Sequence, residues 1–167
     1  MAAVEADDDV PQLSTDTLDL LKQFYSEKDA RDKQFEDLKA QAEDDFATGP
    51  LSMDSFTEDW NASQFWYNDE TATTLAEQLL NDATDETAIA VVSAPSCFIQ
   101  IKNLLASKKF SAKPTITLLE FDERFAVFKE FVPYDFEHPT QLPVELKGRF
   151  DRIICDPPFL SQDCQTK

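Results

Sequence analysis

The spacing of apolar residues changes along the chain and divides it into three parts. Residues 1 to 12 show no periodicity and are rich in Asp and Glu, so they read as a disordered acidic lead-in. From Leu13 the pattern turns helical. Ser14 can cap a helix on which Leu18, Leu21, Phe24 and Tyr25 recur at intervals of three and four. Beyond Asp29 the apolar positions thin to Phe35 and Leu38 among charges, and Gly49-Pro50 followed by Ser52-Met53-Asp54-Ser55 marks a linker. Residues 13 to 59 are therefore expected to form a helical N-terminal extension and linker.

Residues 60 to 167 alternate helical and strand-like runs. Asp69 to Asn81 predicts a helix capped by Asn68 or Asp69, with Thr71, Leu75, Leu79 and Leu80 on its apolar face. Ala88 to Val92 is a continuous apolar run suited to a central parallel strand. Ser93-Ala94-Pro95-Ser96 then turns into a helix with proline in its first turn and Phe98, Ile101, Leu104 and Leu105 on one face. Thr115 to Glu120 reads as a second strand, followed by a helix around Glu123 to Lys129 carrying Phe125 and Phe128. Phe131 to Asp135 is a short third strand, placed at an edge because Pro133 has no donor. Residues 136 to 149 read as loop with a turn of helix near Val144. The fourth strand, from Phe150, carries Cys155 as a small core residue and stops at Asp156-Pro157-Pro158-Phe159, where neither proline can donate to a ladder.

This rhythm predicts an α/β fold with a doubly wound, mostly parallel sheet and right-handed crossovers. The carboxyl ends of the strands then share one side, so Ser93, Glu120, Asp135 and Asp156 are expected to converge on one crevice. An acid at the end of the second strand is suited to ribose hydroxyls, which makes Glu120 the candidate and Asp122 a weaker one. The chain has only two glycines, Gly49 and Gly148, neither in the first strand-helix turn, so a pyrophosphate lacks its usual cradle. The three cysteines are scattered and the single histidine, His138, is read as a loop residue, so no metal site is expected.

Charge narrows the partner. The formal net charge is -18, and residues 1 to 59 carry 17 acidic against 5 basic side chains. Such a surface repels nucleic-acid phosphates and suits a basic protein, although a solvated acidic face that aids solubility looks the same. No apolar run reaches membrane-spanning length and the acidic amino terminus is wrong for a signal peptide, so the expected location is cytoplasmic with no membrane partner.

Five stretches then stand together: Gln64-Phe65-Trp66-Tyr67, Val92-Ser93-Ala94-Pro95-Ser96, Glu120-Phe121-Asp122-Glu123-Arg124-Phe125, Tyr134-Asp135 and Asp156-Pro157-Pro158-Phe159-Leu160-Ser161. In order and spacing they resemble the translation elongation factor 1-alpha lysine methyltransferases, a family formerly grouped with N6-adenine DNA methyltransferases through its Asp-Pro-Pro-Phe motif. The resemblance implies a Rossmann-like class I fold, S-adenosylmethionine as cofactor and elongation factor 1-alpha as the protein partner. It implies Asp156, Pro157 and Phe159 at the transfer site and Ser93, Glu120, Asp135 and Trp66 around the cofactor, with Asp135 toward the adenine amino group. The usual Gly-x-Gly of the first turn is absent. Class I sheets have seven strands and about four are present, so a C-terminally truncated domain with the fourth strand at an edge is expected. A nucleic-acid adenine-N6 methyltransferase and a catalytically inactive binding module remain as alternatives.

Overall fold

The computed structural model describes residues 17–26, 29–30, 33, 50–56 and 64–156. Residues 17–26 are helical, and Leu18, Leu20, Leu21, Phe24 and Tyr25 are exposed. The acidic lead-in, Pro157, Phe159 and Cys164 lie outside the described residues.

Helix α1, Asp69–Leu80, begins where Asn68 Oδ1 accepts the Thr71 amide at 2.8 Å, a cap worth about 1 kcal/mol. Ala72, Ala76 and Leu80 form its buried line, Leu75 and Leu79 are partly buried, and Thr71 is exposed. The core face is thus rotated from the expected one. Alanines at the contact let α1 lie close against helix α2, Pro95–Ala106, its principal neighbour.

Four strands, β1 Ala88–Val92, β2 Thr115–Glu120, β3 Phe131–Pro133 and β4 Arg152–Cys155, form one parallel sheet in the order β3-β2-β1-β4. Because side chains alternate along a strand, the sheet has two distinct faces. Ile89, Val91, Ile116, Leu118 and Ile154 pack with Ala76 and Leu80 of α1 and Phe98 and Ile101 of α2. Ala90, Val92 and Leu119 meet Val132, Tyr134, Leu142, Leu146 and Phe150 on the other face. The route of the chain explains the second layer. Between β3 and β4 the direction across the sheet reverses, and a crossover that keeps its right hand must then pass over the opposite face. That connection contains only a 3-10 turn, Val144–Leu146.

Two local expectations are corrected. The segment after β2 is a 3-10 turn, Glu123–Val127, and not an α-helix. Its short connection has little room for an α-helix, and the tighter three-residue turn projects Phe125 and Phe128 to one side. There Phe125 stacks on Phe56 at 4.1 Å and Phe128 meets Phe98 edge-on at 5.1 Å. Cys155 is exposed, not a core residue. Burial alternates along β4, so Ile154 enters the core while Ile153, 62% exposed, and Cys155 face the side that the connection leaves open.

Arg152, on the helix side of β4, donates through Nη1 to the carbonyls of Leu79 at 2.8 Å and of Asn81. A guanidinium is favoured at that end of α1 because the last carbonyls of a helix carry partial negative charge. No helix among the described residues is long and apolar enough to cross a membrane.

Candidate active site

The ladder register aligns the strand ends. Val92 is level with Leu119 on one side and Cys155 on the other. One residue further, Ser93, Glu120 and Asp156 form a row, continued by hydrogen bonds from the Ser93 amide to the Leu119 carbonyl at 2.9 Å and from the Asp156 amide to the Val92 carbonyl at 3.0 Å. With strands about 4.8 Å apart, the backbones at Glu120 and Asp156 are separated by roughly 10 Å. Strand alternation carries both acids to the helix face, since Leu118 and Ile154, two residues before them, pack there. The strand order reverses between β1 and β4, which is where ligand crevices open in such sheets.

Each position in the row has its own cause. Ser93 adopts a left-handed conformation, φ 53°, which costs a non-glycine residue about 1 kcal/mol. This sharp turn brings β1 directly into α2, whose Ala94 cap position supplies no side-chain hydrogen bond. The amino end of α2 therefore keeps its partial positive charge.

Glu120 is only 5% exposed. Its Oε1 accepts the amides of Phe121 at 2.9 Å and Asp122 at 3.1 Å, while no described residue donates to Oε2. Burial pushes this carboxyl above the ordinary range, against the pull of the two amides. Asp122 behaves oppositely. Burial raises its carboxyl, but hydrogen bonds from Arg124 and Gln64 outweigh that and hold it below the usual value. Arg124 Nε reaches both Asp122 oxygens at 3.0 and 2.9 Å, and Gln64 Nε2 donates to Oδ2 at 3.1 Å. Asp122 is thus engaged where Glu120 keeps an oxygen for a ligand. Phe121, beside Glu120, is 68% exposed and offers an aromatic face.

The raised Glu120 carboxyl predicts a measurable pH dependence. A carboxyl whose folded value exceeds its unfolded one opposes folding at neutral pH, and the opposition vanishes as pH falls through the raised value. Glu120→Gln is therefore expected to melt at a higher temperature than the parent at neutral pH and to lose that advantage in acid. Thermal melts at the two pH values check this, and a glutamine variant less stable at neutral pH contradicts it.

Asp135 lies beyond β3 and is tied into its own loop. Its Oδ1 accepts the Glu137 amide at 2.9 Å, and Oδ2 lies 2.8 Å from His138 Nδ1. Asp135, Glu137 and His138 bring donor atoms within 4.8 Å of one another, and the Asp135–His138 contact accounts for that grouping without an ion. Trp66 Nε1 donates to the Phe56 carbonyl at 3.3 Å, and its ring meets Phe125 edge-on at 6.1 Å, so the indole is built into the core layer.

Burial raises the Asp156 carboxyl. Tyr67, at the end of the aromatic run and directly before the Asn68 cap, donates its amide to Ser96 Oγ at 3.3 Å and so ties that run to the first turn of α2.

A parallel sheet reversing at β1 and β4, with a buried acid closing β2 and an aspartate after β4, fits the Rossmann-like methyltransferase class. Residues 58–167 match the family described as "Probable N6-adenine methyltransferase". The chain is 40% identical over 162 residues to protein-lysine N-methyltransferase EFM5 of Saccharomyces cerevisiae, covering 93% of this chain and 64% of that protein. To EEF1A lysine methyltransferase 1 it is 40% identical in Gallus gallus and 37% in Homo sapiens, covering 96% of this chain and 70% and 69% of those proteins. The chain belongs to the family of EEF1A lysine methyltransferases. No solved structure matches it.

Proposed function

We propose that this chain binds S-adenosylmethionine across the β1–β4 reversal and transfers its methyl group to a lysine of translation elongation factor 1-alpha in the cytoplasm. The observation that carries the reading is the level row of Ser93, Glu120 and Asp156, in which the buried Glu120 keeps Oε2 without a donor among the described residues. A vicinal diol supplies the missing donors, and a ribose has one. The Phe121 ring suits an adenine face, the amino end of α2 suits the methionine carboxylate, and Asp135 is the acid placed toward the adenine amino group. Trp66 acts by anchoring the segment before α1. The relatives named for EEF1A supply the substrate.

When bound, S-adenosylmethionine supplies an electrophilic methyl group on a sulfonium. The protein must aim a neutral amine along the sulfur–carbon axis, and lysine first has to lose a proton, since its ordinary value is about 10.4. The Asp156 carboxylate accepts a hydrogen bond from the incoming nitrogen and fixes its direction. The resemblance adds the Pro157 carbonyl as a second acceptor and the Phe159 ring as a face for the cationic nitrogen.

The family description favours a second substrate, adenine in nucleic acid, but the net charge of -18 opposes phosphate binding. Incubating the full chain and methyl-labelled cofactor with elongation factor 1-alpha, DNA and RNA separates the readings. Label on a lysine of the protein is expected. Label on adenine transfers the assignment, and no label with cofactor still bound supports an inactive binding module.

A further inference from the structure

We propose that Gln64 is a positioning residue of the cofactor site: with Asp122 and Arg124 it closes a ring of hydrogen bonds that fixes the backbone after β2 and so aims the Glu120 carboxylate at the ribose. Its effect on binding rests on the cofactor reading above, whereas the ring itself does not.

Asp122 is the corner at which two distant parts of the chain meet. Gln64 Nε2 donates to its Oδ2 at 3.1 Å, and Arg124 Nε donates to Oδ1 at 3.0 Å and to Oδ2 at 2.9 Å. Arg124 Nη2 also reaches Gln64 Oε1 at 3.5 Å, which closes the ring. A carboxylate only accepts and a guanidinium only donates, so the group between them must do both, and a side-chain amide carries a donor and an acceptor on one plane. One orientation of the Gln64 amide satisfies both neighbours, and the reverse fails both. The ring is braced from outside. The Arg124 guanidinium carbon lies 5.9 Å from the centre of the Phe56 ring, Phe56 stacks on Phe125, and the Phe56 carbonyl accepts Trp66 Nε1.

The ring acts on Glu120 through the backbone. Glu120 Oε1 is held by the amides of Phe121 at 2.9 Å and Asp122 at 3.1 Å, so the direction in which Oε2 points depends on where those two amides sit. The exposed Phe121 side chain gives this short link little packing, which makes Asp122 its anchor. Asp122 in turn has a local tie and a distant one. Its Oδ1 accepts the Arg124 amide at 3.0 Å and caps the 3-10 turn, while Gln64 fastens it to the segment before α1. Without Gln64 the cap persists, but the link can shift and carry Glu120 with it. The Gln64–Tyr67 run and the Glu120–Phe125 stretch thereby form one unit, in which the first supplies the amide and the indole and the second supplies the acids.

The test uses two variants of the full chain. Gln64→Met keeps the reach of the side chain and removes both hydrogen bonds, and Gln64→Glu keeps an acceptor for Arg124 but sets a second carboxylate against Asp122. In nitrogen-15-labelled protein without ligand, both substitutions are expected to shift the amide resonances of Phe121 and Asp122. Calorimetry then compares S-adenosylhomocysteine with its counterpart lacking the ribose 2′-hydroxyl. Each variant is expected to bind S-adenosylhomocysteine about tenfold more weakly than the parent, the loss of one hydrogen bond to a charged group, and the deoxy compound within about threefold of the parent, so that discrimination between the two collapses. Folded variants whose Phe121 and Asp122 resonances stay in place overturn the hold of the ring on the backbone. Shifted resonances with the parental preference for the ribose hydroxyl overturn the positioning role, as does an equal loss for both compounds, which marks plain packing. A parent that binds the two compounds equally, or binds neither, overturns the cofactor reading of Glu120 and with it this role, while the resonances still decide whether the ring holds the backbone.

Discussion

Replacing Asp156 with alanine is expected to lower kcat/KM for methylation of elongation factor 1-alpha by about a hundredfold to a thousandfold, through lost orientation of the amine and the lost charge-assisted acceptor. The row geometry confines the damage. Asp156 ends β4, whereas Ser93 and Glu120 end other strands, so affinity for S-adenosylmethionine should stay within a few-fold of the parent. Asparagine keeps one acceptor oxygen for the amine, and Asp156→Asn should lose only about tenfold. Turnover measured alongside calorimetry of cofactor binding distinguishes these outcomes. An alanine variant that turns over like the parent removes Asp156 from the transfer site, and one that loses cofactor affinity in proportion to rate shifts its role to the cofactor.

The largest effect on stability is expected at Lys102, away from that site. Its Nζ lies 2.6 Å from Glu130 Oε1, with side chains only 11% and 15% exposed, and Glu130 Oε2 is buried with no hydrogen-bond partner among the described residues. Lys102→Ala strands a buried carboxylate whose second oxygen already lacks a donor, and such a loss costs about 3–5 kcal/mol. In urea the midpoint should fall steeply with little change in slope. Replacing both partners, Lys102→Met with Glu130→Leu, removes the stranded charge and should recover most of the loss. A single variant as stable as the parent shows that the pair contributes nothing. Glu130 lies just ahead of β3, level with Thr117 midway along β2 and outside the Ser93–Glu120–Asp156 row, so cofactor affinity of the folded fraction should change little.

The strands were readable because each is a short apolar run ended by polar or proline residues, and α2 because Pro95 announces its first turn. The order β3-β2-β1-β4 was not, because pairing depends on contacts far apart in sequence. The buried line of α1 was misread since alanine is weakly apolar, yet Ala72 and Ala76 matter for being small. Cys155 was misplaced because an apolar run does not say which face is covered. At the site, Glu120 and Asp156 were visible as strand-end acids. Arg124 and Gln64 decide between Glu120 and Asp122 by occupying the latter, and only three-dimensional proximity reveals that.

The clasp of Arg152 on the last carbonyls of α1 has a mechanical corollary. Arg152 leads along β4 to Asp156, and α1 starts immediately after the aromatic run, so that run and the carboxylate ride on elements bolted to each other at their far ends. Loosening the bolt, for example with Arg152→Met, should blur that alignment from a distance without touching either group.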